Sequence, residues 1–185
     1  MSCCVFPKYF GDGYKISKRI DKKRFWRIPV MDGEFMCEET TARVPAIGGG
    51  NFILLSKNRA SCLSACEIAV NVMSEIGNII TPFPGGVVRS GSKVGSKYKA
   101  LIASTNDAFC PSLSGITGSK LHKSVNCVME IVINGLTKED IDKGIRESLI
   151  AISKSKYKKD IVSVSAGNYG GKLGPHHFHL RKILK

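Results

Sequence analysis

The stretch NFILLSKNRASCLSACEIAVNVMSEIG, residues 51–77, contains the clearest strand and the clearest helix of the chain. Residues 51–55 are mostly apolar, which predicts a buried strand. In the segment that follows, apolar side chains recur at steps of four and three and share one helix face: Cys62, Cys66, Ala69, Met73 and Ile76. Asn58 or Ser61 can cap the start of this helix, and Gly77 lies where a helix end favours a left-handed residue.

A similar strand and helix follow in the second half of the chain. The β-branched residues 128–133 predict a strand, and Thr137 to Asp140 form a capping-box pattern. Helical spacing continues through Ile141, Ile145, Leu149 and Ile152. Further strands are predicted at 98–104 and 161–165. This order predicts an α+β sandwich of ferredoxin-like type, with two helices on one face of an antiparallel or mixed sheet.

The flanking segments carry weaker patterns. Residues 1–24 are basic and predicted to be irregular, with a turn at 11–13. Residues 25–30 predict a short strand in which Pro29 marks an edge or an end, and residues 34–44 are predicted to be extended. Gly48 to Gly50 are predicted to break the chain before the strand at 51. The histidine-rich segment 176–180 is predicted to be a solvated terminal strand rather than a metal site.

Length and charge limit the classes of function. The 185 residues suffice for one ordinary domain or two very small ones, and 28 Lys and Arg face 15 acidic residues, a formal charge of +13. The excess of positive charge predicts a polyanionic partner: nucleic acid, a membrane surface, or a small molecule with several carboxylates or phosphates. There is no apolar run long enough for a membrane span and no signal-peptide pattern, so we expect a cytoplasmic protein.

The seven cysteines indicate a reducing compartment. No Cys-x-x-Cys pair is present, which disfavours a zinc ribbon or a thioredoxin-like motif. Cys62 and Cys66 are interpreted as small core side chains rather than metal ligands. Cys110 precedes a proline and has no basic neighbour, so it is not predicted to be a nucleophile.

Three loops combine glycine with polar side chains, at 83–95, 104–111 and 165–174. Glycine lets a ligand approach the backbone, whose N–H groups then bind anions. Arg89, Lys93 and Lys172 add positive charge. None of these loops has the spacing of a phosphate-binding P-loop or of a dinucleotide fingerprint. One such loop alone is as readily an ordinary turn, but three in a small domain favour a binding surface.

Glu130 is the most informative single residue. Alternation along its predicted strand places Val128, Glu130 and Val132 on one face and Met129, Ile131 and Ile133 on the other. A carboxyl on an otherwise apolar face is desolvated, which raises its pKa. Such an acid can donate a proton or hydrogen bond to a developing oxyanion near neutral pH. The alternative is a carboxylate at the rim that reaches solvent or pairs with a cation.

The chain resembles the formylmethanofuran–tetrahydromethanopterin formyltransferase family of one-carbon metabolism. The matching stretches occur in the family's order across nearly the whole chain: 10–14 (FGDGY), 33–35 (GEF), 49–52 (GGNF), 80–87 (ITPFPGGV), 90–95 (SGSKVG), 104–106 (STN), 130–133 (EIVI) and 165–174 (SAGNYGGKLG).

The resemblance implies two α+β lobes in one longer chain, assembled into homo-tetramers. Residues 32–185 would be the C-terminal, distal lobe, and residues 1–31 the tail of an N-terminal, proximal lobe. The implied reaction, known from methanogenesis, moves a formyl group from an amine of formylmethanofuran to a ring nitrogen of tetrahydromethanopterin. It implies no metal and no tightly bound cofactor. Because most of the first lobe is absent, a separately encoded lobe in a hetero-oligomer, a truncated paralogue that binds without catalysis, and an incomplete gene stay open.

The family's strand glutamate corresponds to Glu130, and the resemblance implies that it acts on the carbonyl as a protonated acid or proton relay. The substrate-binding candidates lie in the glycine loops: Gly85, Gly86, Ser90, Ser92, Lys93, Asn106, Asn168, Tyr169 and Lys172. Lys93 and Lys172 would meet coenzyme carboxylates or phosphate. A basic ferredoxin-like sheet is also a common nucleic-acid platform, but aromatic residues are only 8% and no strand carries a closely spaced aromatic pair. Nucleic acid is therefore the less favoured partner.

Overall fold

The computed structural model of this chain describes residues 2–4, 13–89, 106–116, 118–168 and 174–185. The chain divides into two compact units, Met1–Pro45 and Ala46–Lys185. The predicted strand at 98–104 lies outside the described residues. The predicted lobe boundary between residues 31 and 32 concerns the family's lobes rather than these compact units, and it stays a prediction.

The first unit is built from antiparallel strands. They are β1 (Ser2–Cys4), β2 (Ile16–Ile20), β3 (Lys23–Val30), β4 (Gly33–Glu38) and β5 (Thr41–Arg43). β1 pairs with β5, and β2, β3 and β4 form a meander in which β3 is central. Pro29 lies one residue before the end of β3, opposite Glu34, next to the turn that leads into β4. Its position fits the prediction that this proline marks a strand end.

The prediction of an irregular segment over residues 1–24 was wrong, because β2 lies within it. Four of its five residues are exposed, so the strand lacks the apolar alternation by which a sequence announces a strand. The hairpin turn is made by Asp21 and Lys22, with φ values of 46° and 70°. Two-residue hairpin turns need positive φ and usually use Asn or Gly, so this turn carries no glycine signal.

The second unit alternates strands and helices. They are β6 (Ile47–Ser56), α1 (Arg59–Ser74), β7 (Ile79–Ile80), β8 (Cys127–Gly135), α2 (Lys138–Lys154), β9 (Ile161–Ser165) and α3 (Leu180–Ile183). The strand order is β7-β8-β6-β9, and every neighbouring pair is antiparallel. β8 therefore lies between β6 and β7, and β6 lies between β8 and β9. This interleaving confirms the predicted ferredoxin-like sandwich, with an antiparallel sheet.

The main core lies between the sheet and its two long helices. Its fully buried members include Phe52 and Leu54 of β6, Ile131 and Ile133 of β8, and Ile145 of α2. A smaller cluster of Ile53, Leu55 and Val125 lies on the opposite sheet face. The alternation predicted for residues 128–133 is confirmed, since the odd-numbered side chains join the main core and Glu130 lies on the face away from the helices.

The ends of the long helices have identifiable caps. The Asn58 side chain accepts a hydrogen bond from the Ser61 amide at 2.8 Å, so Asn58 is the cap of α1. Thr137 and Asp140 form the predicted capping box of α2. After α1 the left-handed residue is Asn78, with φ of 66°, and not Gly77 as predicted. An asparagine tolerates this conformation well, so glycine is not required.

The predictions for residues 48–50 and for the segment 176–180 were wrong. β6 begins at Ile47, so residues 48–50 do not break the chain. The strand instead absorbs them through a register shift between Ile47 and Gly50. Residues 176–179 form no strand and lead into α3, with Phe178 buried in the main core. A single buried aromatic ring anchors this segment, so strand pairing is not needed to hold it.

The two cysteines of α1 belong to the core. Cys62 and Cys66 are fully buried free thiols. A hydrogen bond with Cys66, together with burial, raises the pKa of the Cys62 thiol well above its ordinary value.

Within the described ranges, no helix is long and apolar enough to cross a bilayer.

Gly135 is predicted to be intolerant of a side chain. A Cβ there would lie 2.7 Å from Ile141 Cγ1 and 3.2 Å from Ile79 Cγ2, both branched atoms close to the backbone. Gly135→Ala should therefore lower the free energy of unfolding by about 1–3 kcal/mol, measured by urea denaturation. Gly77→Ala meets no atom within 4 Å and serves as the control. Equal stabilities of the two variants would contradict the packing argument.

Asp160 is predicted to make stability depend on acid pH. Hydrogen bonds from Ser61 Oγ at 2.5 Å and Asn58 Nδ2 at 3.1 Å lower the pKa of its carboxyl. A lowered folded-state pKa contributes stability above the unfolded value of about 3.9, and this is lost as pH falls through the folded-state pKa. Asp160→Asn should thus be less stable than wild type at pH 7, with a gap that narrows below about pH 4.

Urea unfolding at pH 7 and at pH 3 tests this prediction. The control is Glu147→Gln at an exposed position of α2, which should stay close to wild type at both pH values. A stability gap for Asp160→Asn that stays constant down to pH 3 would show that the carboxylate contributes nothing through its charge.

Candidate active site

Glu130 lies in the middle of the sheet. Its strand, β8, places it opposite Ile53 of β6 on one side. On the other side it pairs with Val88, and the two backbones exchange N–H···O hydrogen bonds of 2.8 Å. The side chain points away from the helices and is only 5% exposed. This burial fits the desolvated carboxyl of the sequence analysis and not the solvent-exposed rim carboxylate.

Two buried amide side chains hold the carboxyl. Asn51 Nδ2 donates a hydrogen bond to Glu130 Oε1, and Asn106 Nδ2 donates to Oε2 at 3.1 Å. Both asparagines are buried. Each carboxyl oxygen therefore accepts a hydrogen bond, which favours the ionised form, whereas burial favours the neutral form. Opposing influences of this kind suit a group that accepts a proton and then returns it.

A cavity of about 610 Å³ opens beside this carboxyl. Glu130 and Asn51 line it together with backbone from two glycine-containing segments, residues 46–50 and 167–168. Phe83, Phe178 and His176 contribute aromatic walls. The volume lies within the range of sites for small organic molecules. Glycine-rich walls allow a ligand to approach the backbone closely.

A smaller cavity of about 140 Å³ also has Glu130 in its lining. Asn106 and Cys110 line it as well. Burial, followed by the nearby Asp107, raises the pKa of the Cys110 thiol. A thiol with a raised pKa carries little thiolate at neutral pH, in keeping with its exclusion as a nucleophile.

The described candidates from the sequence analysis occupy different positions. Asn106 contacts Glu130 directly. Asn168 lines the larger cavity, but its Nδ2 donates to the Phe178 carbonyl and its Oδ1 accepts from the Phe178 amide, both at 2.8 Å. The Asn168 side chain thus ties residue 168 to residue 178, and the assignment of Asn168 to substrate binding stays a prediction.

Gly85 and Gly86 lie in a 3-10 turn, Pro84–Gly86, directly after the cavity residue Phe83. Both have positive φ, and a Cβ on Gly86 would lie 2.6 Å from Val70 of α1. Packing and backbone conformation alone therefore account for glycine at 86. The other candidates, Ser90, Ser92, Lys93, Tyr169 and Lys172, lie outside the described residues.

Asn51 is a site residue that was not predicted from the sequence. The signal was present, since Asn51 shares a strand face with Ile53 and Leu55 and so is a polar residue on an apolar face, as Glu130 is. Phe83 lies in the loop 83–95 that was predicted to belong to a binding surface, but it was not named as a site residue, and His176 was considered only as a metal ligand. In the part of the chain that the structure describes, no group of three or more His, Cys, Asp or Glu is arranged to hold a metal ion.

Comparison with known proteins places this site in a family. Residues 33–183 match a family model described as "FTR, proximal lobe", so the family applies the label proximal to the segment named distal in the sequence analysis. A Methylobacillus flagellatus protein named formylmethanofuran–tetrahydromethanopterin formyltransferase is 59% identical over 177 residues, which cover 96% of this chain and 59% of that protein.

Two solved structures indicate the same family. The formyltransferase/hydrolase complex from Methylorubrum extorquens, determined with methylofuran, contains a chain that superposes with a TM-score of 0.72 and 45% identity, covering 100% of this chain and 63% of that one. The formylmethanofuran:tetrahydromethanopterin formyltransferase of Methanosarcina barkeri superposes with a TM-score of 0.68 and 40% identity. The match covers 95% of this chain and 59% of that one. This chain spans about three fifths of the length of these relatives. On these matches, the chain belongs to the formylmethanofuran–tetrahydromethanopterin formyltransferase family.

Proposed function

We propose that this chain takes part in the transfer of a formyl group from formylmethanofuran to tetrahydromethanopterin, with Glu130 as the group that moves the proton. The observation that carries this proposal is a buried carboxyl, held by two amides, in the wall of a cavity large enough for part of an organic coenzyme. The names of the matched relatives supply the two coenzymes.

Formyl transfer between amines needs a proton to move. The acceptor nitrogen attacks the formamide carbonyl and loses a proton, a tetrahedral oxyanion forms, and the donor nitrogen leaves after gaining a proton. One carboxylate near both nitrogens can accept the first proton and supply the second. We take the carboxylate as the starting form, because Asn51 and Asn106 both donate to it. Of the two roles that the resemblance implies for Glu130, protonated acid or proton relay, this proposal takes the relay.

The oxyanion also needs hydrogen-bond donors that are not already engaged. Two amides of the glycine segments are engaged within the protein. Gly49 N donates to Asn134 Oδ1 at 2.9 Å, and Gly167 N donates to Asn51 Oδ1 at 2.7 Å. We therefore assign both amides to holding the cavity wall in shape. Contacts to the coenzymes are proposed for Ser90, Ser92, Lys93, Tyr169 and Lys172 by resemblance to the family.

We propose that the chain works in an oligomer. One matched relative is a chain of the formyltransferase/hydrolase complex, so oligomeric assembly occurs in the family. The companions proposed here are further copies of this chain or a polypeptide that supplies the part of the relatives' length not matched. We propose the cytoplasm as its location, and no tightly bound cofactor.

Glu130→Gln is predicted to lower the rate of formyl transfer by about 100-fold or more, since glutamine cannot exchange a proton. The assay uses the chain co-expressed with the remaining part of a relative, and it follows formation of formyl-tetrahydromethanopterin. Glu139→Gln, at an exposed position of α2, is the matched control and should keep the wild-type rate. A wild-type rate in folded Glu130→Gln would remove Glu130 from the mechanism.

The chain alone is predicted to bind tetrahydromethanopterin, because the larger cavity is lined by residues of one compact unit. Isothermal titration calorimetry on this chain alone should detect the binding. Coenzyme binding without transfer in the co-expressed assembly would identify a non-catalytic binding subunit. Strong, salt-sensitive RNA binding with no response to the coenzyme would instead favour a nucleic-acid module.

A further inference from the structure

Asn51 connects the carboxyl of Glu130 to the loop that follows β9. Its Nδ2 donates to Glu130 Oε1, and its Oδ1 accepts from the Gly167 amide at 2.7 Å. The side chain is 5% exposed, so water competes little for either bond. The three residues are far apart in sequence, 51, 130 and 167, and a single amide group joins them.

The orientation of this amide follows from hydrogen-bond chemistry. A backbone N–H can only donate, so the group facing Gly167 must be the oxygen of Asn51. The NH₂ group then faces Glu130 and can only donate to it. With the Gly167 contact in place, Glu130 Oε1 is therefore held as an acceptor. Displacement of Gly167 would release the constraint on both ends of the amide.

We propose that Asn51 is a positioning residue that couples the conformation of residues 166–168 to the proton-accepting state of Glu130. The proposal deepens the proposed function, on which its catalytic meaning rests. Gly167 and Asn168 line the larger cavity. A coenzyme in that cavity therefore contacts the loop and can act on the carboxyl through Asn51, in addition to its direct contact with Glu130.

The loop is anchored directly after Gly167, by Asn168. The side chain of Asn168 makes two hydrogen bonds of 2.8 Å with the backbone of Phe178, whose ring is buried in the main core. Gly167 thus lies between a fixed anchor and Asn51. A shift of the loop at the cavity changes the distance from the Gly167 amide to Asn51 Oδ1.

Asn106 provides a matched comparison. It is also a buried asparagine that donates to the same carboxyl, at Oε2, but it approaches from the segment before Asp107–Phe109. Loss of either amide removes one donor from the carboxylate. Of the two losses, only that of Asn51 should also free the Gly167 amide from its acceptor. The two asparagines therefore separate an effect on the carboxyl from an effect on the loop.

Other titratable groups lie near enough to enter a pH measurement. His176 lines the larger cavity and Cys110 the smaller one. Asp107 follows Asn106, and Arg89 follows Val88, the backbone partner of Glu130. The signal followed must therefore belong to Glu130 itself. The side-chain carboxyl carbon of ¹³C-labelled glutamate meets this need, since Glu130→Gln identifies its resonance by removing it.

The experiment compares wild type, Asn51→Ala and Asn106→Ala in the whole chain. One readout is the titration midpoint of the Glu130 carboxyl carbon by NMR, and the other is hydrogen exchange of the Gly167 amide. Both variants should raise the midpoint by about one pH unit, because each removes a donor to the carboxylate. Only Asn51→Ala should speed exchange at Gly167, by about tenfold or more. Unchanged exchange in that variant would overturn the proposal.

Asn51→Asp keeps the proposal testable if the alanine variant does not fold. It retains an acceptor for Gly167 but places a second carboxyl beside Glu130, so exchange at Gly167 should stay near wild type while the midpoint rises. Slow exchange with an unshifted midpoint would contradict the coupling. Both readouts are independent of catalysis. Failure of the coupling is therefore distinguishable from failure of formyl transfer, which the Glu130→Gln rate decides.

Discussion

The carboxyl of Glu130 is buried in the middle of an antiparallel sheet, and an ionised group in that position is costly unless hydrogen bonds replace the lost water. Asn51 and Asn106 supply those bonds. Each asparagine is itself polar and buried, and so it needs partners of its own. Asn51 finds one in the Gly167 amide. The hydrogen bonds that satisfy this one buried carboxyl therefore extend from the sheet to the loop after β9.

The interleaved topology makes this arrangement possible. β8 carries Glu130 between β6 and the short pairing at Val88, so the carboxyl has neighbours on both sides. The two long helices occupy the other sheet face and bury the larger core there. The face without these helices is left for polar side chains and for two cavities that share Glu130. The main core and the buried carboxyl thus lie on opposite faces of one sheet, with the smaller cluster of Ile53, Leu55 and Val125 on the carboxyl's face.

Much of the fold was predictable because its signals are local. The helical spacing from Cys62 to Met73 and the capping box at Thr137 depend on residues a few positions apart, and both were confirmed. β2 was missed because its residues are exposed and its turn uses Asp21 and Lys22 in place of glycine. The terminal segment was misread because Phe178 is held by packing, which no local pattern reports.

The alternation of residues along β8, which can be read from the sequence, places Glu130 on the face away from the core and makes it a candidate for a desolvated acid. The groups that contact its carboxyl are set by the fold. Asn51 and Asn106 reach the carboxyl, and Gly167 reaches Asn51, from segments more than twenty residues away from Glu130, and strand register and loop closure bring them together. Periodicity describes which face a side chain takes, because it follows from local backbone geometry. Hydrogen-bond partners across a sheet depend on long-range pairing, which local spacing does not encode.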